Sequence, residues 1–452
     1  MEAETFLAGG YGIRLAMESR KVGKAYIGAL TDVWLPSRLK GIQVGPEYGV
    51  PFLTATQVYD LQPVPRKFLS LEKTEDANSR FANNGMILVT RSGTVGRTIL
   101  AYAPHEKKII SDDLLRVEPV SPQYWGWIYA YLRSAQARAM MNASQYGHVI
   151  KHLETSHLNA LPIPVLRPEL LEKFNQGANT LLEMRNCAHN LRQEAEYLYS
   201  EAIGEIPIAE NSNIGFTVAT SDIFARRRRL EASFHNPIAI SIIKKFESLK
   251  LPVEPLCAVT ERVWWMTRFK RVFGEEGVPY MSADELFSLN APITKRVLIE
   301  QASNAKDYFV KAGWIVMACS GQVYGINGSV ALMNKVHEQF FFTHDLVRII
   351  PNKEKIRPGY LFTALVHPQL GRPLVIRHAY GTSIPHLEPE DIETIPIVRL
   401  SGSIESEIAD KAEKASALLS EADRLENELA NNAEEVLDRF IAGNTDDVAI
   451  WP

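Results

Sequence analysis

The sequence predicts an α+β chain of two pseudo-repeated globular domains, each followed by a long helix, with the two helices pairing as a coiled coil. Three observations predict it: blocks of sequence that return at a nearly constant offset, apolar runs bounded by Gly and Pro inside each copy, and an apolar stripe of heptad spacing after each copy.

The repeat comes first in the argument. "VWLPSRLK" at 33–40 is echoed by "VWWMTRFK" at 263–270, an offset of 230. "GVPFLTATQV" at 49–58 returns as "GVPYMSADEL" at 277–286, and "GMILVTRSGTV" at 85–95 as "GWIVMACSGQV" at 313–323, both offset by 228. "SDDLLRV" from 111 meets "THDLVRI" from 343 at 232, while "YGHVIKHL" from 146 meets "YGTSIPHL" from 380, and "LPIPV" from 161 meets "IPIV" from 395, both at 234. Offsets that drift this slowly along a whole domain mean duplication with small loop insertions.

Within each copy the elements follow in order. "GMILVTRSGTVG" and "GWIVMACSGQVYG" read as strands running into glycine turns, and "DLLRVEP" and "DLVRIIP" as short strands stopped by Pro. "QYWGWIYAYLRSAQARAMM" and "RPGYLFTALVHPQLGRPLV" read as amphipathic helices. Next, Leu170, Phe174, Ala178, Leu181, Met184, Ala188, Leu191, Ala195, Leu198 and Ala202 recur at spacings of four and three. Ile404, Ile408, Ala412, Ala415, Leu418, Ala422, Leu425, Leu429, Asn432 and Val436 form the matching stripe, with Asn432 its one polar intrusion and a candidate for setting register. Each stripe implies a helix of about 36 residues, about 54 Å long. The resulting boundaries are a first globular domain at 1–166, its helix at 167–204, a linker at 205–227, a second globular domain at 228–400, its helix at 401–441 and a tail at 442–452.

Composition excludes several classes. With 46% hydrophobic and 23% charged residues the chain is of globular type, and no apolar run reaches the ~18 residues of a membrane span. The opening "MEAETFLAGG" has no basic segment ahead of an apolar one, so a cytoplasmic protein is expected. Cys187, Cys257 and Cys319 are scattered, which indicates neither a disulfide framework nor a cysteine zinc site. The net charge of −4 leaves a polyanion partner only local basic patches to meet.

Catalytic motifs fail one by one. "GTVGRT" at 93–98 lacks the phosphate-loop pattern, with Arg91 where a Gly is required, Arg97 in place of Lys, and Tyr324 and Gly325 in the second copy. His148, His152 and His157 have helix-face spacing, yet the second copy keeps His386 opposite His152 and puts Thr382 opposite His148, without a third ligand. There is no GxSxG turn, and "HNPI" at 235–238 lacks the second Pro and the aromatic residue of an amino-methyltransferase tetrapeptide. No catalytic, cofactor-binding or metal-binding residue is assigned.

Basic residues beside aromatics are what each copy does carry. Arg262, Arg268, Lys270 and Arg271 flank Trp264 and Trp265, and the first copy matches them with Trp34, Arg38 and Lys40. Such cations suit phosphates, and arginine also reads guanine. The glycine turns differ between copies, with Arg91, Ser92 and Thr94 in one and Cys319, Ser320, Gln322 and Tyr324 in the other, as two readers of different bases would. The "YGHVIKHL" and "YGTSIPHL" segments add His148, Lys151, Thr382 and His386. The DNA-contacting candidates are therefore Arg38, Lys40, Arg91, Ser92, Thr94, His148 and Lys151 in the first copy, and Arg268, Lys270, Arg271, Ser320, Gln322, Tyr324, Thr382 and His386 in the second. "ARRRRLEASF" at 225–234 is either a phosphate clamp or simply the exposed entry to the second domain, and the clamp is the reading preferred.

The arrangement resembles the specificity (S) subunit of bacterial type I restriction-modification systems. The pieces that carry the resemblance are "SGTVG" and "SGQVYG", "YGHVIKHL" and "YGTSIPHL", "LPIPV" and "IPIV", "RRLEASFHNP" opening the second half and a weaker "IRLAMES" at 13–19 opening the first. The resemblance implies two target-recognition domains, each binding one half of a split double-stranded DNA target, with the two helices paired as an antiparallel coiled coil that fixes the gap. It implies a non-catalytic chain that docks two adenine methyltransferase (M) subunits, which bind S-adenosylmethionine, and in restriction complexes a restriction (R) subunit as well. Two other readings stay open: a DNA-reading subunit of a related phage-defence or methylation complex, and an interaction scaffold that binds no DNA.

Overall fold

The computed structural model describes residues 9–38, 41–72, 77–144, 152–206, 215–225 and 229–449. The chain forms two compact units. The first comprises the N-terminal copy through Asn186 together with residues from Glu421 onward, and the second runs from Cys187 to Ser420.

In the first unit a helix, α1 (Gly9–Glu18), precedes a four-stranded sheet made of β1 (Thr31–Trp34), β2 (Ile87–Thr90), β3 (Thr98–Leu100) and β4 (Leu114–Pro119), in the order β1-β4-β2-β3. All its neighbours are antiparallel. A second sheet of short strands includes a parallel pairing of Val50–Leu53 with Ile109–Ile110. Helices α2 (Trp125–Arg133) and α3 (Ala135–Ser144) follow, and then α4 (Pro168–Ile203), of which the first half belongs to this unit.

The second unit repeats the plan. After α5 (Pro237–Ser248) come β5 (Thr260–Trp264), β6 (Ile315–Ala318), β7 (Val330–Leu332) and β8 (Leu346–Pro351), in the matching order β5-β8-β6-β7. Phe273–Met281 pairs in parallel with Phe341–Phe342, as its counterpart does in the first copy. Helix α6 (Pro358–Val366) matches α2, and α7 (Gly402–Ala442) matches α4.

Each unit is built around its own apolar core, to which a half of each long helix contributes. Within the first unit Leu171, Phe174, Ala178 and Leu181 of α4 join Ala422, Leu429, Ala433, Val436, Leu437 and Phe440 of α7. Within the second, Ala195, Tyr199 and Ile203 join Ile408, Ala409 and Ala412. In both, later residues of one helix lie beside earlier residues of the other, as Arg185 does with Asp423 and Glu194 with Lys411, so the pairing is antiparallel.

The structure corrects the sequence reading in two respects. Helices α2 and α6 are not amphipathic: nearly every residue is buried, because the sheet covers one side and a long helix the other. Their approach to the long helices is so close that a Cβ on Gly126 would stand 2.4 Å from the Phe174 carbonyl oxygen, and one on Gly359 would stand 2.5 Å from that of Ala409. Asn175 Oδ1 accepts from the Gly126 amide at 2.7 Å, and Glu413 Oε1 from the Gly359 amide at 3.0 Å. The helix stripe is also displaced by one residue at several positions. Asn432 is exposed and cannot set register, with Ala433 buried in its place; Ile404 gives way to Glu405, Met184 to Arg185 and Leu425 to Glu426. Charged residues enter the seam because partners await them: Arg399 holds the Glu405 carboxylate at 2.9 and 3.0 Å, and Arg185 holds Glu426.

Candidate nucleic-acid interface

In each unit the glycine turn after the second sheet strand of the chain is pinned by the "HL" segment that lies far from it in sequence. In the first, Ser92 bridges to His152, with Ser92 Oγ 3.0 Å from the His152 Nδ1, and the Leu153 amide donates to the Arg91 carbonyl at 2.9 Å. In the second, Ser320 bridges to His386 and the Leu387 amide donates to the Cys319 carbonyl at 2.9 Å. The third participant is the loop before the last sheet strand: the Arg91 amide donates to Asp113 O, and the Cys319 amide to Asp345 O. One backbone frame, made of three segments, is thus built twice. Gly93 and Gly321 give it its shape, with φ of +74° and +112° that other residues rarely adopt.

The side chains on the two frames differ. In the first unit Ser92 Oγ also lies 3.1 Å from Asp113 Oδ1, and Arg91 is ion-paired with Glu154, so both are braced. Thr94 is exposed at the tip. In the second, Gln322 reaches across to the Ser383 carbonyl at 2.7 Å, and buried Asn327 donates to the carbonyls of Gly321 and Pro385, which locks the turn to the 381–384 loop. Tyr324 is 63% exposed at this tip, with Thr382 and Ile384 exposed beside it.

The basic stretches take a place next to these frames. Arg38 is exposed after β1; Arg268, Lys270 and Arg271 are exposed between β5 and Phe273–Met281. Aromatic neighbours accompany the cations: Arg262 lies 4.3 Å from the Trp264 ring centre and buried Arg116 lies 5.6 Å from that of Trp34. Arg116 and its counterpart Arg348 are structural. Each is fully buried and binds backbone carbonyls, Arg116 those of Ile110, Ser111 and Leu114 and Arg348 those of Thr343 and Leu346, so each braces the loop that supports its turn. Burial pushes both guanidinium pKa values down, to about 10.

Of the candidates, Lys40, His148 and Lys151 lie outside the described residues, as do Arg226, Arg227 and Arg228. The last of the four arginines is not a phosphate clamp. Arg229 is ion-paired to Asp391 and Glu231, each at 3.0 Å, donates to the His378 carbonyl and lies over the Phe234 ring, and so fastens the entry to the second copy. Sequence reasoning missed Asp113, Glu154, His344, Asp345 and Asn327. The aligned "SDDLLRV" and "THDLVRI" carried the signal for the two aspartates, which are identical in both copies.

Among the described residues no group of three or more His, Cys, Asp or Glu could hold a metal ion, and no helix is long and apolar enough to cross a membrane.

No protein-family model and no curated protein matches the chain. Solved structures similar to it include a type I restriction-modification S subunit from M. genitalium, at 16% identity and a TM-score of 0.29, over 94% of this chain and 96% of that one. The HsdS subunit from Thermoanaerobacter tengcongensis is similar at 12% identity and a TM-score of 0.28, over 93% and 96%. The type IIG restriction endonuclease BpuSI is similar over 38% of this chain and 28% of its own, at 13% identity and a TM-score of 0.29. At these values no residue's role is carried across.

Proposed function

We propose that this chain is a sequence-specific DNA-recognition subunit: its two globular copies read the two halves of a bipartite duplex target, its paired long helices set the gap, and it directs a partner adenine-N6 DNA methyltransferase to the site. The observation that carries the reading is the twice-built turn frame, on which one backbone presents Ser92 and Thr94 in one copy and Gln322 and Tyr324 in the other. A duplicated scaffold with different tips is what two readers of different half-sites require, since hydrogen-bonding side chains on a rigid support discriminate bases.

Charge distribution supports the same reading. The segment 402–442 carries eleven acidic and four basic residues, whereas the reader loops carry Arg38, Arg268, Lys270 and Arg271 exposed. Duplex DNA would meet the loops and be repelled by the helices, leaving the helices to protein partners. Those partners are two methyltransferase subunits, one per copy, because a duplicated chain offers each the same surface. S-adenosylmethionine and the transfer chemistry reside in them, and where the complex cleaves DNA a restriction subunit joins. The assembly acts in the cytoplasm, where such DNA is found.

The test is methylome sequencing of DNA from cells expressing this chain with the methyltransferase encoded beside it, with and without Arg268→Ala plus Lys270→Ala. A split adenine motif, of which one half relaxes in the double variant, is expected. An active, chain-bound methyltransferase that leaves no new methylation would favour a scaffold that reads no DNA.

A further inference from the structure

His344 stands in the loop before β8, between Thr343 and Asp345, and is only 8% exposed. Among the described residues neither ring nitrogen has a hydrogen-bond partner; Nε2 lies 3.3 Å from Asp345 Oδ1 but out of line for a hydrogen bond. Buried polar side chains nearly always have partners, so one that lacks them on both edges calls for an explanation.

Its surroundings supply one. Burial pushes the imidazole pKa down, and Arg271, Arg268 and Arg348 push it further against the opposing pull of Asp345, so the ring is neutral and offers one N–H donor. Arg348 is buried and occupied by carbonyls. The other two arginines are exposed. Arg271 spends one donor on the Tyr280 hydroxyl at 3.1 Å, and Arg268 makes no hydrogen bond or ion pair among the described residues. The fold brings them to this loop: Phe269, which lies between them in sequence, packs on Phe341 with ring centres 5.4 Å apart, and Arg271 bonds Tyr280, whose strand pairs with Phe341–Phe342 and accepts from the Thr343 amide, so two cations with donors to spare stand near a buried donor and the carboxylate of Asp345. In the first copy the position of His344 is held by Asp112, an acid that would repel an anion at the same place.

We propose that His344, Arg268 and Arg271 form a phosphate-binding notch peculiar to the second copy, in which the arginines supply charge and His344 a directional N–H donor. The occupant is a backbone phosphate of duplex DNA. This inference rests on the DNA-reading function proposed above and deepens it, assigning the second copy a positioning contact that the first does not have.

The test has two arms, both on the full chain. In the first, binding of a 40-base-pair duplex is followed by fluorescence anisotropy from about 50 to 200 mM salt. His344→Leu, which keeps the bulk but has no donor, should weaken binding roughly tenfold, as loss of a hydrogen bond to a charged group does. His344→Asp, which installs the first copy's residue, should weaken it more, and Arg268→Ala should lower the salt slope by about 0.9. Asp112→Asn, the control in the first copy, should not weaken binding. Circular dichroism confirms folding, and of the two His344 variants the folded one is scored. In the second arm inorganic phosphate is titrated while the histidine ring signals are followed by NMR, the His344 signal being the one missing from His344→Leu. Duplex binding that depends on His344 supports the notch. A phosphate-dependent shift of the His344 signal without duplex binding supports an anion notch for free phosphate and removes the DNA-reading function. Duplex binding unchanged by either variant, with no shift of the His344 signal, overturns the notch and leaves the DNA-reading function standing. Absence of both overturns both.

Discussion

Arg185 of α4 and Glu426 of α7, each about 1% exposed, meet through two hydrogen bonds of 3.0 and 2.8 Å in the core of the first unit. Tyr129 of α2 donates its hydroxyl to the same carboxylate, and Arg133 lies 3.2 Å away, so one buried acid joins both long helices to the globular copy. The second unit has Phe362 and Val366 where the first has Tyr129 and Arg133, and there Tyr199 packs against Tyr360 and His367, with His367 Nε2 3.1 Å from the Glu196 carbonyl. Removing one partner of a buried pair strands the other charge. Glu426→Gln should therefore destabilise the first unit by about 3–5 kcal/mol, whereas Arg185→Met with Glu426→Leu, which removes both charges of the pair but still leaves Arg133 and the Tyr129 hydroxyl without this carboxylate, should recover part of that loss. Urea unfolding of the single and double variants measures both, and a double variant as weak as the single would show that the pair itself stabilises the fold.

The same carboxylate predicts an acid limit. Burial pushes the Glu426 pKa up, but Arg133, Arg185 and the hydrogen bonds to it prevail and hold it down at about 2. An unfolded glutamate titrates near ~4.3, so the folded state binds fewer protons between these values. The stabilisation, about 3 kcal/mol from a shift of this size, is fully present above about pH 5 and is lost as pH falls from about 4 through about 2. Unfolding curves at pH 3 and pH 6 should differ more for wild type than for the Arg185→Met, Glu426→Leu variant, and equal differences would count against this assignment.

Gly126 and Gly359 predict a sharper effect. A methyl group at either would run into a backbone carbonyl, which cannot swing aside as a side chain can. Each Gly→Ala change should lower stability by about 2 kcal/mol or more through forced separation of the helices, although alanine is the better helix former. Differential scanning calorimetry of the two variants checks this, each variant lowering the transition of its own unit.

The duplication was legible in the sequence because repeated turns and strands preserve glycines, prolines and apolar runs at fixed spacing, as "SGTVG" and "SGQVYG" do. The pairing of each turn with a distant "HL" segment was not, because two motifs can be aligned between copies without revealing that they touch. Period counting chose Met184 over Arg185 and Leu425 over Glu426, the apolar neighbour over the charged one, since a lone charge in a seam is costly. Each charge is buried only because the other is there. His344 escaped notice for the opposite reason: nothing in its spacing marks it, and its interest comes from arginines brought near it by a loop more than 70 residues earlier in the chain.

The proposed ruler yields the last prediction. In α7, buried Ile408, Ala415, Ala422, Leu429 and Val436 recur every seven residues, so removing one heptad leaves the seam in phase to within about 20°. Deleting residues 187–193 from α4 and 414–420 from α7 takes about 10 Å from each helix and leaves the Arg185 and Glu426 pair in place. Ten ångströms is about three base pairs along B-DNA at ~3.4 Å each. The shortened chain, expressed with the proposed partner methyltransferase, should direct methylation of a motif with both halves unchanged and a gap about three base pairs shorter. Because about three base pairs also turn the helix by roughly 100°, a stiff ruler predicts in addition a loss of methylation efficiency at the new spacing. Both halves retained at the original gap would mean that the helices do not set the spacing, and the task would then fall to the methyltransferase partners.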